Sequence, residues 1–98
     1  MQLNLKIENK TKTFIPTFIS GRIVRDVTKI LPKLQEGNIT TELLDELVAM
    51  MIVIYNNQFT VDEFYDGIEA HRLLSTITET LNYVMYGITS RIEKLPNE

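Results

Sequence analysis

The apolar residues of this chain change period once, between Pro16 and Ser20, and no other feature constrains the fold as much. Before that point Leu3, Leu5 and Ile7 alternate with Asn4 and Lys6, the two-residue period of a half-buried strand. Glu8-Asn9-Lys10 supplies turn chemistry, and Thr11 to Ile15 is β-favouring again around Phe14. The pattern predicts a β-hairpin over about residues 2–15, closed by Pro16. Two strands alone are marginal in water, so the hairpin must lie on the helices that come after it in the chain.

After Pro16 the period is helical. Over residues 20–35, opened by Ser20, the side chains of Ile23, Val24, Val27, Ile30, Leu31 and Leu34 share one stripe. Pro32 projects from the solvent side, but its missing N–H predicts a kink or an end near Leu31, with Gly37-Asn38 closing the segment. A second helix over about residues 41–56 is capped by Thr40 or Thr41, with Glu42 in its first turn. Its main stripe is Leu44, Leu47, Val48, Met51, Ile52 and Tyr55. Leu43, Met50 and Ile54 widen one shoulder, and Val53 falls among Glu42, Glu46 and Ala49 on the wet side. The β-branched run Ile52-Val53-Ile54 could form a strand, but the helical pattern begins well before it. So broad an apolar face suits a central helix, ended by Asn56-Asn57.

Thr60 and Glu63 then form a capping box, and Phe59 and Phe64 occupy the positions of a hydrophobic staple. They open a short helix over about residues 61–68, with Asp62 and Glu63 at its positive end and Gly67 as its break or cap. The last helix, about residues 74–93, starts at a second capping box, Thr76 with Glu79. Ile77, Leu81, Val84, Met85, Ile88 and Ile92 line its apolar face, Gly87 lies opposite, and 95–98 is a frayed end. The expected class is mostly α (α+β): an N-terminal β-hairpin packed on a bundle of about four helices, in a single domain spanning residues 1–98.

Chemistry is sparse along this framework. A chain of 98 residues supports one modest core, and 44% apolar with 23% charged residues excludes wholesale disorder. Without cysteine there is no disulfide, thiolate nucleophile or sulfur-bound zinc, and the single histidine, His71, cannot build a multi-histidine centre. Ala70 and Arg72 flank His71, which reads as an ordinary residue at a helix start. Asp62, Asp66 and Gly67 have calcium-loop spacing, but Phe64 and Leu73 stand where ligands are required. A glycine-rich phosphate loop is also missing. The expectation is no catalytic residue, no metal and no cofactor: a binding protein rather than an enzyme. Residues 1–6 lack the apolar core of a signal peptide, and the longest apolar run, Leu47 to Tyr55, is about half of a bilayer crossing. A soluble intracellular protein with no membrane partner is expected.

The net charge of −3 conceals a contrast. Residues 1–36 carry seven Lys or Arg against three acidic residues, a net of +4, whereas residues 37–98 carry three against ten, a net of −7. Such asymmetry serves a nucleic-acid surface, a head-to-tail self-contact, or attraction within one fold. Arg22, Arg25, Lys29 and Lys33 form a basic ridge on the outer face of the first helix, and Asp62, Glu63, Asp66 and Glu69 form an acidic face. The ridge has no interleaved aromatic or amide residues to read bases, so a small helical regulatory or nucleic-acid-binding protein is the second reading. Two further surfaces stand outside the core stripes. Glu79, Tyr83, Tyr86 and Ser90 lie opposite the apolar face of the last helix, either covered by the hairpin or open to a partner. Met50 and Val53, with Ile54, pose the same question on the second helix.

With these residues in view, the sequence resembles a tail assembly chaperone of long-tailed phages or prophages infecting Gram-positive bacteria. The likeness includes the Leu-rich hairpin with Lys10 to Phe14, and Phe18-Ile19-Ser20-Gly21-Arg22 leading into the first helix. Its most specific part is Asn57-Gln58-Phe59-Thr60, followed by Tyr65-Asp66-Gly67-Ile68 and Arg72-Leu73-Leu74. Ser75 stands where such sequences often carry a proline before the last helix, leaving the cap to Ser75 or Thr76. The resemblance implies binding of the phage tape measure protein, recruitment of tail tube protein through a longer frameshifted form, and assembly into homo-oligomers. It also implies action in the cytoplasm of the bacterial host and absence from the finished virion. On this reading Met50, Val53, Tyr83 and Tyr86 are candidates for partner binding. The basic ridge and acidic face are candidates for self-association, and nucleic acid is not a partner.

Overall fold

The computed structural model describes residues 1–87. It is an α+β structure in which an N-terminal antiparallel hairpin, β1 (Leu3–Ile7) and β2 (Lys10–Phe14), precedes four helices. These are α1 (Gly21–Gln35), α2 (Thr41–Ile54), α3 (Val61–Gly67) and α4 (Leu73–Asn82), with a 3₁₀ turn, Ala70–Arg72, before α4 and a π-helical segment, Tyr83–Gly87, after it.

The strands pair from Leu3 opposite Phe14 to Ile7 opposite Lys10. Glu8 and Asn9 alone make the turn, with φ of 53° and 64°; this left-handed pair matches the twist of a tight hairpin. Lys10 therefore belongs to β2 rather than to the turn, and Ile15 lies beyond the strand, 57% exposed. Leu3 and Leu5 are buried and Phe14 is half-buried, so the hairpin attaches through one face of β1 and the end of β2.

Helix α1 buries Ile23, Val27, Ile30 and Leu31, flanked by half-buried Val24 and Leu34, the six residues of its stripe. Pro32 does not end it at Leu31. The donor that Pro32 lacks would serve the carbonyl of Thr28, an exposed residue whose backbone water can reach. The helix instead runs to Gln35, and Gly37 terminates it at φ 78°, donating to the Leu34 carbonyl at 3.1 Å.

Helix α2 is capped by Thr40, whose hydroxyl accepts from the Leu43 N–H at 3.1 Å. Its buried residues are Leu43, Leu47, Val48, Met51 and Ile54, followed by Tyr55; Leu44 and Ile52 are only half-buried. The buried face is thus turned toward Leu43 and Ile54, which periodicity places on a shoulder. With apolar residues on so many sides, only the neighbours of α2 decide which of them disappear from water, and α1, α3 and α4 all contact it.

The capping box of α3 forms in both directions: the Thr60 hydroxyl accepts from Glu63 N–H at 3.0 Å, and the Glu63 carboxylate accepts from Thr60 N–H at 2.9 Å. Phe59 and Phe64 stack at 6.0 Å as the staple, and Phe59 also meets Phe14 at 5.0 Å and Tyr55 at 5.6 Å. One aromatic cluster thereby ties the hairpin, the end of α2 and α3 together.

The second capping box does not form. The 3₁₀ turn delivers the chain to Leu73 already in helical geometry, so Arg72 holds the cap position and Thr76 lies inside α4. A cap needs an extended residue at the helix start, and neither Ser75 nor Thr76 has that place. Ile77, Leu81 and Val84 are buried as their spacing predicts, and Thr80 is buried beside them. Ile88, Ser90, Ile92, the predicted helix end at 93 and the frayed 95–98 lie outside the described residues.

Gly67 has a tighter role than ending a helix. A Cβ built there would lie 2.9 Å from the Lys6 carbonyl oxygen and 3.2 Å from the Leu5 Cβ, so the missing side chain lets β1 approach α3. Gly67→Ala should destabilise by about 1–2 kcal/mol in urea unfolding, because backbone rather than a flexible side chain must move. An unchanged midpoint would show that the hairpin shifts freely.

Candidate functional site

The candidate residues lie on the described surface, in grooves and on exposed helix faces. His71 is exposed in the 3₁₀ turn, and among the described residues no three His, Asp or Glu side chains group to hold a metal ion. No described helix is long and apolar enough to cross a membrane.

The hairpin leaves both candidate tyrosines open, Tyr83 at 46% and Tyr86 at 54% exposed. Tyr83 lines a groove of about 610 Å³ between β1 and α4, with Leu5, Ile68, Arg72 and Thr76 among its walls. Met50 and Val53 line a different groove, about 380 Å³, between α1 and α2 beside Ile30, Lys29, Lys33 and Glu46. Val53 is 50% exposed and Met50 half-buried, whereas Ile54 points into the core and belongs to no surface. The four candidates for partner binding thus belong to two regions, not one.

Arg22, Arg25, Lys29 and Lys33 are all exposed, as the ridge predicts. Arg25 pairs with Asp26 at 3.7 Å and Lys33 with Glu46 at 3.5 Å, while Arg22 and Lys29 make no ion pair among the described residues. Such solvated pairs contribute below about 1 kcal/mol each. On the acidic side Asp62, Asp66 and Glu69 are exposed, but Glu63 is half-buried and its carboxylate is engaged in the α3 cap.

Sequence periodicity misses the connector between β2 and α1. Phe18 is the most exposed large apolar residue described, at 71%. Its backbone is nevertheless held. The Asn56 side-chain carbonyl accepts from Thr17 N–H at 2.7 Å, the Thr17 hydroxyl at 3.0 Å and Phe18 N–H at 3.4 Å. The Asn56 amide donates to the Phe18 carbonyl at 2.7 Å, and the Gln58 amide donates to the Ile15 carbonyl at 2.8 Å. Asn56 and Asn57 reach this position through φ of 61° and 58°, which asparagine tolerates better than most residues. The Asn-Asn pair was the available signal, but it reads equally well as a plain helix end.

Two tyrosines have perturbed phenols. Burial raises Tyr55 above 10.0, partly offset by the Thr80 hydroxyl, and among the described residues no partner for the Tyr55 hydroxyl meets hydrogen-bond geometry. Tyr65 donates to Asp45 at 2.6 Å, joining α3 to α2. Desolvation, then the Asp45 hydrogen bond and charge, push Tyr65 from 10.0 up to about 12. The folded state holds this proton more tightly than the unfolded chain, so the contribution is complete below about pH 10 and is lost as pH rises toward 12. Relative to the parent, Tyr65→Phe should lose less than about 1 kcal/mol at neutral pH and show a shallower fall in stability above pH 10. Parallel urea melts would check it; identical slopes would remove Tyr65 from the alkaline transition.

Among known proteins, the family model described as phage tail chaperone protein matches residues 1–98. No curated protein and no solved structure matches.

Proposed function

The chain belongs to the phage tail chaperone family, and from that premise we propose that it binds the tape measure protein while the tail is being built. The observation that carries this reading is the pair of open apolar regions, one at Met50 and Val53, the other at Tyr83 and Tyr86. Amphipathic helices seat apolar side chains in such grooves, and a long tail protein kept from aggregating would present many of them. Shielding that surface needs binding, not bond chemistry, so the role is non-enzymatic.

Recruitment of tail tube protein would fall to a longer frameshifted form, with this chain as the shared or shorter part. The site of action would be the cytoplasm of the bacterial host, and the finished virion would not retain the chain. Self-association is the third element of the proposal. The basic ridge of one copy meets the acidic face of the next, and a contact between unlike patches forms rings or open helices according to its rotation. The regulatory or nucleic-acid reading is less favoured, because the ridge has no interleaved aromatic or amide residues to read bases and the chain as a whole is acidic, with a net charge of −3.

The test is co-expression with a phage tape measure protein. A Val53→Ser, Tyr83→Ala, Tyr86→Ala variant should fold, since all three side chains are exposed, and should recover roughly tenfold less tape measure protein. Undiminished recovery by the folded variant would sink the assignment.

A further inference from the structure

We propose that the Ile15–Phe18 connector is a preformed apolar knob, through which one copy of the chain docks on the acidic shoulder of α3 in a second copy. The inference rests on the self-association reading above and adds its apolar anchor. An exposed aromatic side chain on a connector ordinarily either folds back onto the core or remains loose. Phe18 does neither: its N–H and its carbonyl both bond to the Asn56 side chain, and Gln58 holds Ile15. A connector whose backbone is held before contact loses less freedom on binding, and aromatic anchors contribute most of the affinity in many interfaces.

Charge selects the occupant. Arg22 follows Phe18 by four residues and Lys29 lies two turns further along α1, and neither has an ion partner among the described residues. The same molecule carries the complement: Asp62 and Asp66, one turn apart on α3 and also without ion partners among the described residues, with Glu69 beyond them and exposed Val61 beside them. Each patch is an apolar centre edged by one sign of charge, and the signs are opposite. A second copy is the occupant these observations specify.

The experiment measures mass against concentration by light scattering on the full chain. The parent should self-associate. Phe18→Ser should raise the dissociation constant roughly tenfold or more without changing the melting temperature. Asn56→Gly, which keeps the left-handed backbone but removes the clamp, should weaken association although Phe18 remains. Phe18→Ser retains an intact acidic shoulder, and Asp62→Lys with Asp66→Lys retains an intact knob. Mixed together, the two should form a one-to-one complex that neither forms alone. A Phe18→Ser chain that assembles like the parent overturns this inference and leaves the self-association reading standing. A parent that stays monomeric up to about 1 mM overturns both. Normal assembly of Phe18→Ser with loss of tape measure recovery reassigns the knob to the tail protein, and also overturns the inference.

Discussion

Phe64→Ala should cost about 3–5 kcal/mol, the largest loss from any single truncation in the aromatic cluster. Phe64 is fully buried, stacks on Phe59 at 6.0 Å and meets Tyr65 edge-on at 6.4 Å. It is the inner half of the staple that sets how the chain enters α3, and Phe59 carries the contact onward to the hairpin through Phe14. Truncation therefore opens a cavity where three elements meet, so no one of them can move in to fill it. Small domains are stable by roughly 5–15 kcal/mol, so the loss would take a substantial part of the reserve. Phe64→Leu keeps most of the volume and should lose about half as much. Urea unfolding followed by far-UV circular dichroism would measure both, and a loss below about 1 kcal/mol for alanine would place the centre of the core elsewhere.

Asn56→Ala should cost about 2–3 kcal/mol, far more than a residue in a turn usually does. Two terms contribute. An alanine at φ 61° costs roughly 1 kcal/mol that asparagine largely avoids, and the side chain also loses its bonds to Thr17 and Phe18. Water can reach these groups, so the hydrogen-bond term stays near the lower end of the usual range of about 0.5–1.5 kcal/mol per bond. Asn56→Gly separates the terms: it restores the backbone and should recover roughly 1 kcal/mol while leaving the connector unclamped. Equal losses for the alanine and glycine variants would mean that the left-handed backbone contributes nothing. A loss below about 0.5 kcal/mol for both would mean that the clamp does not hold the connector.

The two Thr-x-x-Glu boxes show where sequence reading reaches its limit. At Thr60 and Glu63 the cap residue is extended, the box closes and the staple packs. At Thr76 and Glu79 the same residue types lie inside a helix that a 3₁₀ turn has already started, and no cap forms. Identical local chemistry gives different outcomes because a cap depends on the path by which the chain arrives. The contrast between α1 and α2 is similar. A narrow stripe leaves α1 one way to pack, so its six apolar residues are all buried or half-buried. The broad face of α2 allows several, and the choice that buried Leu43 and Ile54 and left Leu44 and Ile52 half-buried came from its neighbours.

The candidate site was partly legible for the same reason. The basic ridge, the acidic face and the two tyrosines could be placed on their helices by spacing, and all but Glu63 are exposed. That Arg25 and Lys33 have partners within the chain depends on neighbours that spacing alone cannot weigh.

By itself the sequence determined the hairpin, the helix faces and the family resemblance, because period, turn residues and caps act over a few residues and need no distant partner. Tertiary structure alone decided the rest: the continuation of α1 past Pro32, the contact of Lys6 with Gly67, and the fixing of an exposed Phe18 by Asn56. Each of these depends on what lies across space from the residue, water in the first case and backbone or an amide in the others, and no local pattern encodes it.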